Sequence, residues 1–286
     1  MAGLRLRDKI AEPGIIVAPG IYDHISLLMA NEVGFDAVYA SGYWGTASAM
    51  GLPDVGIAGY SDFIRWFSGF ASKSSAPVIA DADTGFGSLA NLDHAVRGYQ
   101  RAGIAAMQIE DQPFPKVCGH TGRTRSVAAG EMVTRINVAV EARGAGDMLI
   151  IARTDARPSE GLDAALNRLQ AYAAAGADIL FLEAPESIAE IKEAGDLLEK
   201  PLMINAAHGG KTPILSPAQY AALGAKLVIY PAGAALSAAG AVTSFYRALA
   251  AGDANSAMMG MFDFREMSRL LGLDDVAALQ DRHGGS

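Results

Sequence analysis

The feature that most constrains this chain is a unit that recurs eight times along its 286 residues. Each unit starts with a short apolar, β-branched run, passes through a polar or glycine-rich turn, and continues into an Ala- and Leu-rich stretch with helical spacing. We interpret the runs as strands, at residues 15–19, 37–40, 77–80, 105–109, 148–152, 178–182, 201–204 and 226–230. This alternation predicts an α/β fold, a (β/α)8 TIM-type barrel, rather than a doubly wound sheet.

The composition agrees with one large domain. Hydrophobic residues make up 51% of the chain and charged residues 19%, which is enough apolar material for a barrel-sized core. We expect residues 1–252 to form the barrel, and residues 253–286 to form a C-terminal helical extension and tail of the same domain. Extra C-terminal helices are therefore part of the predicted fold.

Charge and targeting signals limit the partners. The formal net charge is −8, and no basic run offsets it, so a nucleic-acid partner or an acidic membrane surface is not expected. The single cysteine excludes an intrachain disulfide, and residues 1–8 lack the apolar core of a signal peptide. No apolar run reaches the length that spans a bilayer. We expect a cytoplasmic protein that acts on a small molecule.

Polar residues stand directly after most of the predicted strands. They are Ser41, Gly42, Asp81, Asp83, Glu110, Asp111, Arg153, Asp155, Glu183 and Asn205. Any one of them could be a helix cap or a solvated loop residue. In a barrel, however, the carboxyl ends of all strands meet at one face, where active sites of this fold lie. The set as a whole predicts one pocket at that face.

Four carboxylates in this set predict a metal site. Asp81 and Asp83 are two residues apart on an extended segment, so both side chains fall on one side and would repel each other without a cation. With Glu110 and Asp54 they offer the hard oxygen donors that suit Mg²⁺, with Mn²⁺ as a substitute. The five histidines lack the spacing of a zinc site.

The only cysteine, Cys118, lies between Lys116 and the pair Gly119 and His120. Neighbouring cations and partial exposure are what activate a thiol, so the segment could be catalytic. A lone cysteine is more often a small buried hydrophobic residue. The residue pattern alone leaves both interpretations open.

Taken together, the motifs of this chain resemble those of the isocitrate lyase/phosphoenolpyruvate mutase superfamily, over roughly residues 6–252. They are Asp81-Ala-Asp83-Thr-Gly-Phe-Gly, Ile109-Glu110-Asp111-Gln112, Lys116-Val-Cys118-Gly-His120, Ala152-Arg153-Thr-Asp155, Glu183-Ala-Pro185 and Ile229-Tyr230-Pro231. The resemblance implies Mg²⁺, a 2-oxo or 2-hydroxy carboxylate ligand, and a mobile gate loop at about residues 112–130. It also implies a homotetramer whose neighbouring subunits exchange a C-terminal helix.

Within that superfamily, Lys-x-Cys-Gly-His resembles the members that cleave carbon–carbon bonds. The resemblance implies retro-aldol cleavage in which Cys118 is the general acid that protonates an enediolate. Lys116 would lower the cost of the anionic intermediate, and Arg153 would bind a carboxylate or the ketone oxygen. Tyr39, on the same strand side as Ser41, is a candidate base, although a barrel-lining core residue is the alternative interpretation.

Matching motif positions also imply a set of substrate-binding residues. These residues are expected to hold the two carboxylates of the substrate or to orient neighbouring cations. They are Ser41, Gly42, Tyr43, Gly119, His120, Arg153, Glu183 and Asn205. The substrate implied by this set is a small dicarboxylate.

Three departures from the superfamily pattern bear on the substrate. Val117 replaces an arginine beside the cysteine, residues 206–213 replace a Thr-Glu-Phe-Gly turn, and Leu236 stands where an arginine would bind a third carboxylate. An apolar pocket suits a 2-alkylmalate such as dimethylmalate.

Several alternatives stay open. One is 2-methylisocitrate lyase, which yields pyruvate and succinate and would need another cation such as Lys211. Others are an oxaloacetate hydrolase or decarboxylase, a phosphonopyruvate-processing enzyme, and a non-catalytic anion-binding barrel.

Overall fold

The computed structural model describes residues 2–117, 125–253, 255, 258 and 260–284. Its contacts divide the chain into two compact units, Met1–Ala235 and Leu236–Ser286. The first unit contains every strand of the barrel. The predicted boundary after residue 252, between the barrel and its C-terminal extension, stays a prediction.

The first unit is a closed barrel of parallel strands in the order β1 to β8, with β1 pairing to β8. The strands are β1 Ile16–Ile21, β2 Val38–Ala40, β3 Val78–Asp81, β4 Ala106–Glu110, β5 Leu149–Thr154, β6 Ile179–Leu182, β7 Leu202–Asn205 and β8 Ala225–Tyr230. Each begins and ends within about two residues of its predicted run. The (β/α)8 prediction is therefore confirmed.

Helices follow the strands and continue beyond the last one. They are α1 Ala2–Ala11, α2 His24–Val33, α3 Gly42–Met50, α4 Tyr60–Lys73, α5 Leu89–Arg101, α6 Ala129–Arg143, α7 Arg157–Glu160, α8 Leu162–Ala174, α9 Ile188–Leu197, α10 Pro217–Ala222, α11 Gly233–Ala250, α12 Phe264–Leu270 and α13 Leu273–His283. The last two confirm the predicted extra C-terminal helices. None of the helices in the described part of the chain is long and apolar enough to cross a membrane.

Two apolar layers hold the barrel together. The larger layer lies between the sheet and the surrounding helices and includes Phe63, Phe67 and Tyr99. The smaller layer fills the barrel interior, and Leu6 of α1 belongs to it and is fully buried. Because successive residues along each strand point alternately into and out of the barrel, both layers come from the same apolar runs.

Polar side chains at the carboxyl ends of the strands lie above the inner layer. Ser41 accepts a hydrogen bond from Trp44 N at 3.3 Å and so caps α3, which starts at once after β2. The predicted Ser41–Gly42 turn is thus a helix N-terminus, where backbone N–H groups face the site. The fold gathers the predicted polar set on one face.

Candidate active site

A cavity of about 300 Å³ opens at the carboxyl ends of the strands. Its lining includes eight of the predicted site residues, which are Tyr39, Ser41, Tyr43, Asp54, Asp81, Lys116, Arg153 and Asn205. The predicted residues Asp83, Glu110 and Glu183 are buried behind this lining. Cys118, Gly119 and His120 lie outside the described residues, so their predicted roles stay predictions.

One wall of the cavity is an acidic cluster around Lys116. The Lys116 ammonium donates a hydrogen bond to Asp54 Oδ2. Its Nζ also lies 3.0 Å from Asp83 Oδ1, in an ion pair without hydrogen-bond geometry. Asp81 adds a third carboxylate to the same wall. Three acids face one base, so the wall carries an excess of negative charge that favours a cation.

The low-dielectric surroundings change the protonation of these groups. Burial raises the pKa of Asp83 to about 7; Asp81 and Asp54 add to the rise, and Lys116 opposes it. Burial likewise raises the pKa of Asp54. Burial alone would lower the pKa of Lys116, but the surrounding carboxylates raise it well above its usual value. Lys116 therefore stays charged at neutral pH.

Asp81 is held by donors on several strands and loops. Its Oδ1 accepts hydrogen bonds from Asp83 N at 3.1 Å and from Gln108 Nε2 at 3.2 Å. Its Oδ2 accepts one from Gly42 N at 3.3 Å. Gln108 Oε1 in turn accepts a hydrogen bond of 2.6 Å from the Tyr39 hydroxyl. The carboxylate is thus fixed in direction before any ligand arrives.

A second part of the lining is organised around Arg153. Its guanidinium binds Asp155 through two bonds, of 2.9 and 2.8 Å. It also lies 3.5 Å from Glu110 Oε2 and 3.6 Å from Glu183 Oε2. Burial raises the pKa of Glu110 well above its usual range, although Arg153 opposes the rise. Asn205 Nδ2 completes the group at 3.4 Å from Glu183.

These residues fit a divalent ion held through few direct protein bonds. In the described parts of the chain, no three His, Cys, Asp or Glu side chains converge to hold one ion. Mg²⁺ commonly takes only one or two carboxylates and keeps several waters. Asp81 and Asp54 line the cavity, and Glu110 Oε1 has no hydrogen-bond partner among the described residues. The oxygen-only, acid-rich donor set suits Mg²⁺ or Mn²⁺ and not zinc.

The described start of the predicted gate loop is tied down by Gln112. Its side chain accepts a hydrogen bond from Val117 N at 3.1 Å and donates one to Val117 O at 2.9 Å. Arg135 donates to the Gln112 carbonyl at 2.8 Å. These two hydrogen bonds to Val117 close residues 112–117 into a fixed turn. The turn fixes the position of the backbone that carries Lys116.

The far end of the same loop is fixed to the barrel as well. Val127 N donates to the Asp111 carbonyl at 2.8 Å, and Arg168 donates to the Val127 carbonyl at 2.8 Å. The Asp111 carboxylate accepts bonds from Thr154 at 2.6 Å and Tyr172 at 2.8 Å. The strand-end acid Asp111 is therefore a structural anchor.

Several residues that line the cavity were not predicted from the sequence. Trp44 and His208 line the cavity, as do Ala207, Gly209 and Gly210 of the segment that departs from the superfamily pattern. Gln108 was also missed, although a signal existed. It is polar within an apolar strand and two residues before Glu110, which places both side chains on the same face of β4.

The structure describes two further residues that were invoked for substrate choice. Lys211 pairs with Glu186 at 2.9 Å, is about half exposed, and is not among the described lining residues of the cavity. Leu236 is the first residue of the second unit, and its side chain is 46% exposed.

Residues 6–250 match the protein family described as phosphoenolpyruvate phosphomutase. The chain is 38% identical over 280 residues to the 2,3-dimethylmalate lyase of Eubacterium barkeri, covering 98% of this chain and 97% of that protein. It is 44% identical over 229 residues to the 2-methylisocitrate lyase of Aeropyrum pernix, covering 80% of this chain and 73% of that protein.

Solved structures agree in fold over the whole chain. Oxaloacetate acetylhydrolase in complex with 3,3-difluorooxalacetate superimposes with a TM-score of 0.93 at 30% identity, covering 100% of this chain and 98% of that one. Phosphonopyruvate hydrolase in complex with oxalate and Mg²⁺ superimposes with a TM-score of 0.88 at 29% identity, covering 99% of both chains. The resemblance predicted from the motifs is confirmed, and the chain belongs to the phosphoenolpyruvate phosphomutase family, within the isocitrate lyase/phosphoenolpyruvate mutase superfamily.

Proposed function

We propose that this chain is a Mg²⁺-dependent carbon–carbon lyase that cleaves a 2-alkylmalate of the dimethylmalate type. The products are a 2-oxo acid such as pyruvate and a saturated carboxylic acid. The observation that carries the proposal is a cavity with buried, mutually oriented charges on two walls and apolar residues at Ile229, Pro231 and Ala232. The 2,3-dimethylmalate lyase relative, matched over nearly the whole length of both proteins, supports it.

The reaction is a retro-aldol cleavage. A general base takes the proton of the C2 hydroxyl, the C2–C3 bond breaks, and C2 becomes the ketone of the 2-oxo acid. The bonding electrons pass to C3, which forms the enediolate of the departing carboxylate. Cys118 then gives its proton to C3 and completes the saturated acid. When bound at the wall of Asp54 and Asp81, Mg²⁺ would supply positive charge toward the developing oxyanion.

Other residues of the chain would bind and orient the substrate. We assign one substrate carboxylate to Ser41, Gly42 and Tyr43, at the start of α3. Arg153, held by Asp155, would bind the carboxylate or the ketone oxygen, and its neighbour Glu183 would fix its direction. The N-terminal end of a helix and a rigid guanidinium are both suited to anionic oxygens.

The other assignments follow the motifs. Lys116 would offset the charge of the intermediate, and Asn205, Gly119 and His120 would hold the second carboxylate. Burial raises the pKa of Tyr39 well above its usual value, and its hydroxyl donates to Gln108. Both facts oppose the loss of its proton in this arrangement, and the role of Tyr39 as the candidate base stays a prediction.

The charges favour a substrate with two carboxylates. Arg153 and Lys116 are each matched by buried acids, and Lys211 is held by Glu186 away from the described lining. A third carboxylate would find no further Lys or Arg among the described lining residues. The second candidate is 2-methylisocitrate lyase, favoured by the 44% identity to the Aeropyrum pernix enzyme.

A substrate panel tests the proposal. The purified protein is offered dimethylmalate, citramalate, methylisocitrate, isocitrate, oxaloacetate and phosphonopyruvate, and 2-oxo acid release is followed with Mg²⁺ and with EDTA. We expect the highest kcat/KM for dimethylmalate and loss of turnover with EDTA. Preference for methylisocitrate would establish the second candidate instead. Turnover of no dicarboxylate, or turnover that EDTA leaves unchanged, would overturn the lyase proposal.

We further propose a cytoplasmic homotetramer. The second unit carries exposed apolar side chains on each of its helices, which are Leu236, Val242, Tyr246, Leu249, Phe264, Leu273, Val276 and Leu279. Large exposed apolar surfaces mark interaction sites in other proteins. The occupant we propose is a second copy of the chain.

A further inference from the structure

Gln108 is a fully buried polar residue in the interior of the barrel, on β4. Its amide is hydrogen-bonded to side chains on the adjacent strand β3 and on β2, the next strand beyond it. Nε2 donates to Asp81 Oδ1 on β3 at 3.2 Å, and Oε1 accepts from the Tyr39 hydroxyl on β2 at 2.6 Å. A buried amide with both ends bonded has a single orientation.

The chemistry of the partners fixes the direction of every proton in this chain of bonds. Both oxygens of Asp81 already accept hydrogen bonds, Oδ1 from the backbone N–H of Asp83 and Oδ2 from that of Gly42. The NH₂ end of Gln108 must therefore face Asp81, and its carbonyl end must face Tyr39. Tyr39 can only donate to that carbonyl, so its proton is committed.

We propose that Gln108 is a positioning residue, locked by Tyr39, that aims the Asp81 carboxylate at the divalent ion. The inference rests on the Mg²⁺ site of the proposed function. Oδ1 of Asp81 carries two hydrogen bonds and Oδ2 carries one, so Oδ2 keeps more acceptor capacity for a cation. Partners of this kind behind a metal ligand commonly change metal affinity by roughly 10- to 100-fold when removed.

Metal binding without substrate tests the proposal. The dissociation constant for Mn²⁺ is measured by electron paramagnetic resonance for the wild type, Gln108→Met, Tyr39→Phe and Asp81→Asn, together with the melting temperature of each metal-free protein. We expect Gln108→Met to weaken Mn²⁺ binding at least tenfold. Tyr39→Phe keeps the Gln108 donor but frees its orientation, so we expect a smaller loss, of about threefold.

The controls separate this inference from the metal site itself. Gln170→Met makes the same chemical change on the exposed face of α8 and should bind Mn²⁺ as the wild type does. Loss of binding in Asp81→Asn alone, with wild-type affinity in Gln108→Met or in Tyr39→Phe, would overturn the positioning role. If Gln108→Met does not fold, Tyr39→Phe decides the question. Failure of the wild type to bind Mn²⁺ would instead overturn the Mg²⁺ part of the proposed function.

Discussion

At the scale of single residues, the site is a set of charges that are buried in opposed groups. Lys116 is 4% exposed between Asp54 and Asp83, and Arg153 lies among Asp155, Glu110 and Glu183. Lys116 and Arg153 each lie close to more carboxylates than a single positive charge can neutralise. The free energy of binding the proposed divalent cation would therefore include the relief of repulsion among these acids.

The thiol of Cys118 gives the first residue-scale prediction. Cys118→Ser replaces an acid whose ordinary pKa is about 8.5 with a far weaker one, so proton delivery to the enediolate should fail. We expect the kcat of cleavage to fall at least 10³-fold, while Mg²⁺ and oxalate still bind by calorimetry. Full activity in the serine variant would remove the thiol from the mechanism.

The raised acid pKa values predict a pH-dependent effect of the metal on stability. A carboxyl group whose pKa is higher in the folded state holds more protons folded than unfolded, so stability falls as pH rises from its unfolded value toward its folded one. For Asp83 this interval runs from 3.8 to about 7. Burial raises the pKa of Asp54 and of Glu110 in the same direction.

Mg²⁺ should reverse that loss, because it binds the ionised acids of the folded state. We expect the rise in melting temperature on adding MgCl₂ to be larger at pH 8 than at pH 5. Scanning calorimetry measures it, with NaCl of equal ionic strength as the control. An equal or smaller rise at pH 8 would contradict the arrangement of buried acids.

At the scale of elements, the turn 112–117 joins β4 to Lys116. Gln112 holds Val117 through two hydrogen bonds, and Arg135 of α6 holds the Gln112 carbonyl. The side chain of Gln112 thus performs the pairing that a neighbouring strand would otherwise provide. The position of the Lys116 ammonium depends on this turn.

Gln112→Met should loosen the turn, because it removes both hydrogen bonds while keeping a side chain of similar size. Loss of two hydrogen bonds to a largely buried backbone should cost about 1 to 3 kcal/mol of local stability. We expect hydrogen exchange at the Val117 amide to accelerate at least tenfold and acylation of Lys116 by acetic anhydride to become faster. Amides of β4 should exchange as before, and Gln170→Met should change neither readout. Unchanged exchange at Val117 would show that the turn is held by other contacts.

Most elements could be predicted because their signals are local. Apolar runs of four or five residues and the glycines that close the preceding helices mark the strands without knowledge of their partners. The N-terminus of α3 was not predicted, because Ser41 and Gly42 read as a loop in the sequence. Only the structure shows that Ser41 caps α3 by accepting a hydrogen bond from Trp44 N.

The depth of each site residue could not be predicted in the same way. Asp81 lines the cavity while Asp83 is buried behind it, a difference set by the turn after β3, where Asp83 has a φ of 48°. Gln108 could not be linked to Tyr39 and Asp81 from the sequence, because the register of three strands brings them together. Such contacts are non-local, and the pattern along one strand does not specify them.

At the scale of the whole molecule, the second unit predicts self-association. Phe264 of α12 is 84% exposed, and Tyr246 of α11 is also exposed. We expect a tetramer by light scattering coupled to size-exclusion chromatography, and partial or complete dissociation for Phe264→Asp. Ile25→Asp, at an exposed site on α2 of the first unit, is the matched control and should stay tetrameric. A monomeric wild type would contradict the proposed assembly.

The inner apolar layer has a kinetic consequence. Leu6 and the side chains around it fill the barrel beneath the cavity, so among the described residues solvent reaches the cavity from the strand-end side. Substrate and both products of the proposed cleavage then share one route. We expect ordered release, in which the product bound deeper leaves last, and product-inhibition kinetics should show that this product inhibits competitively with substrate.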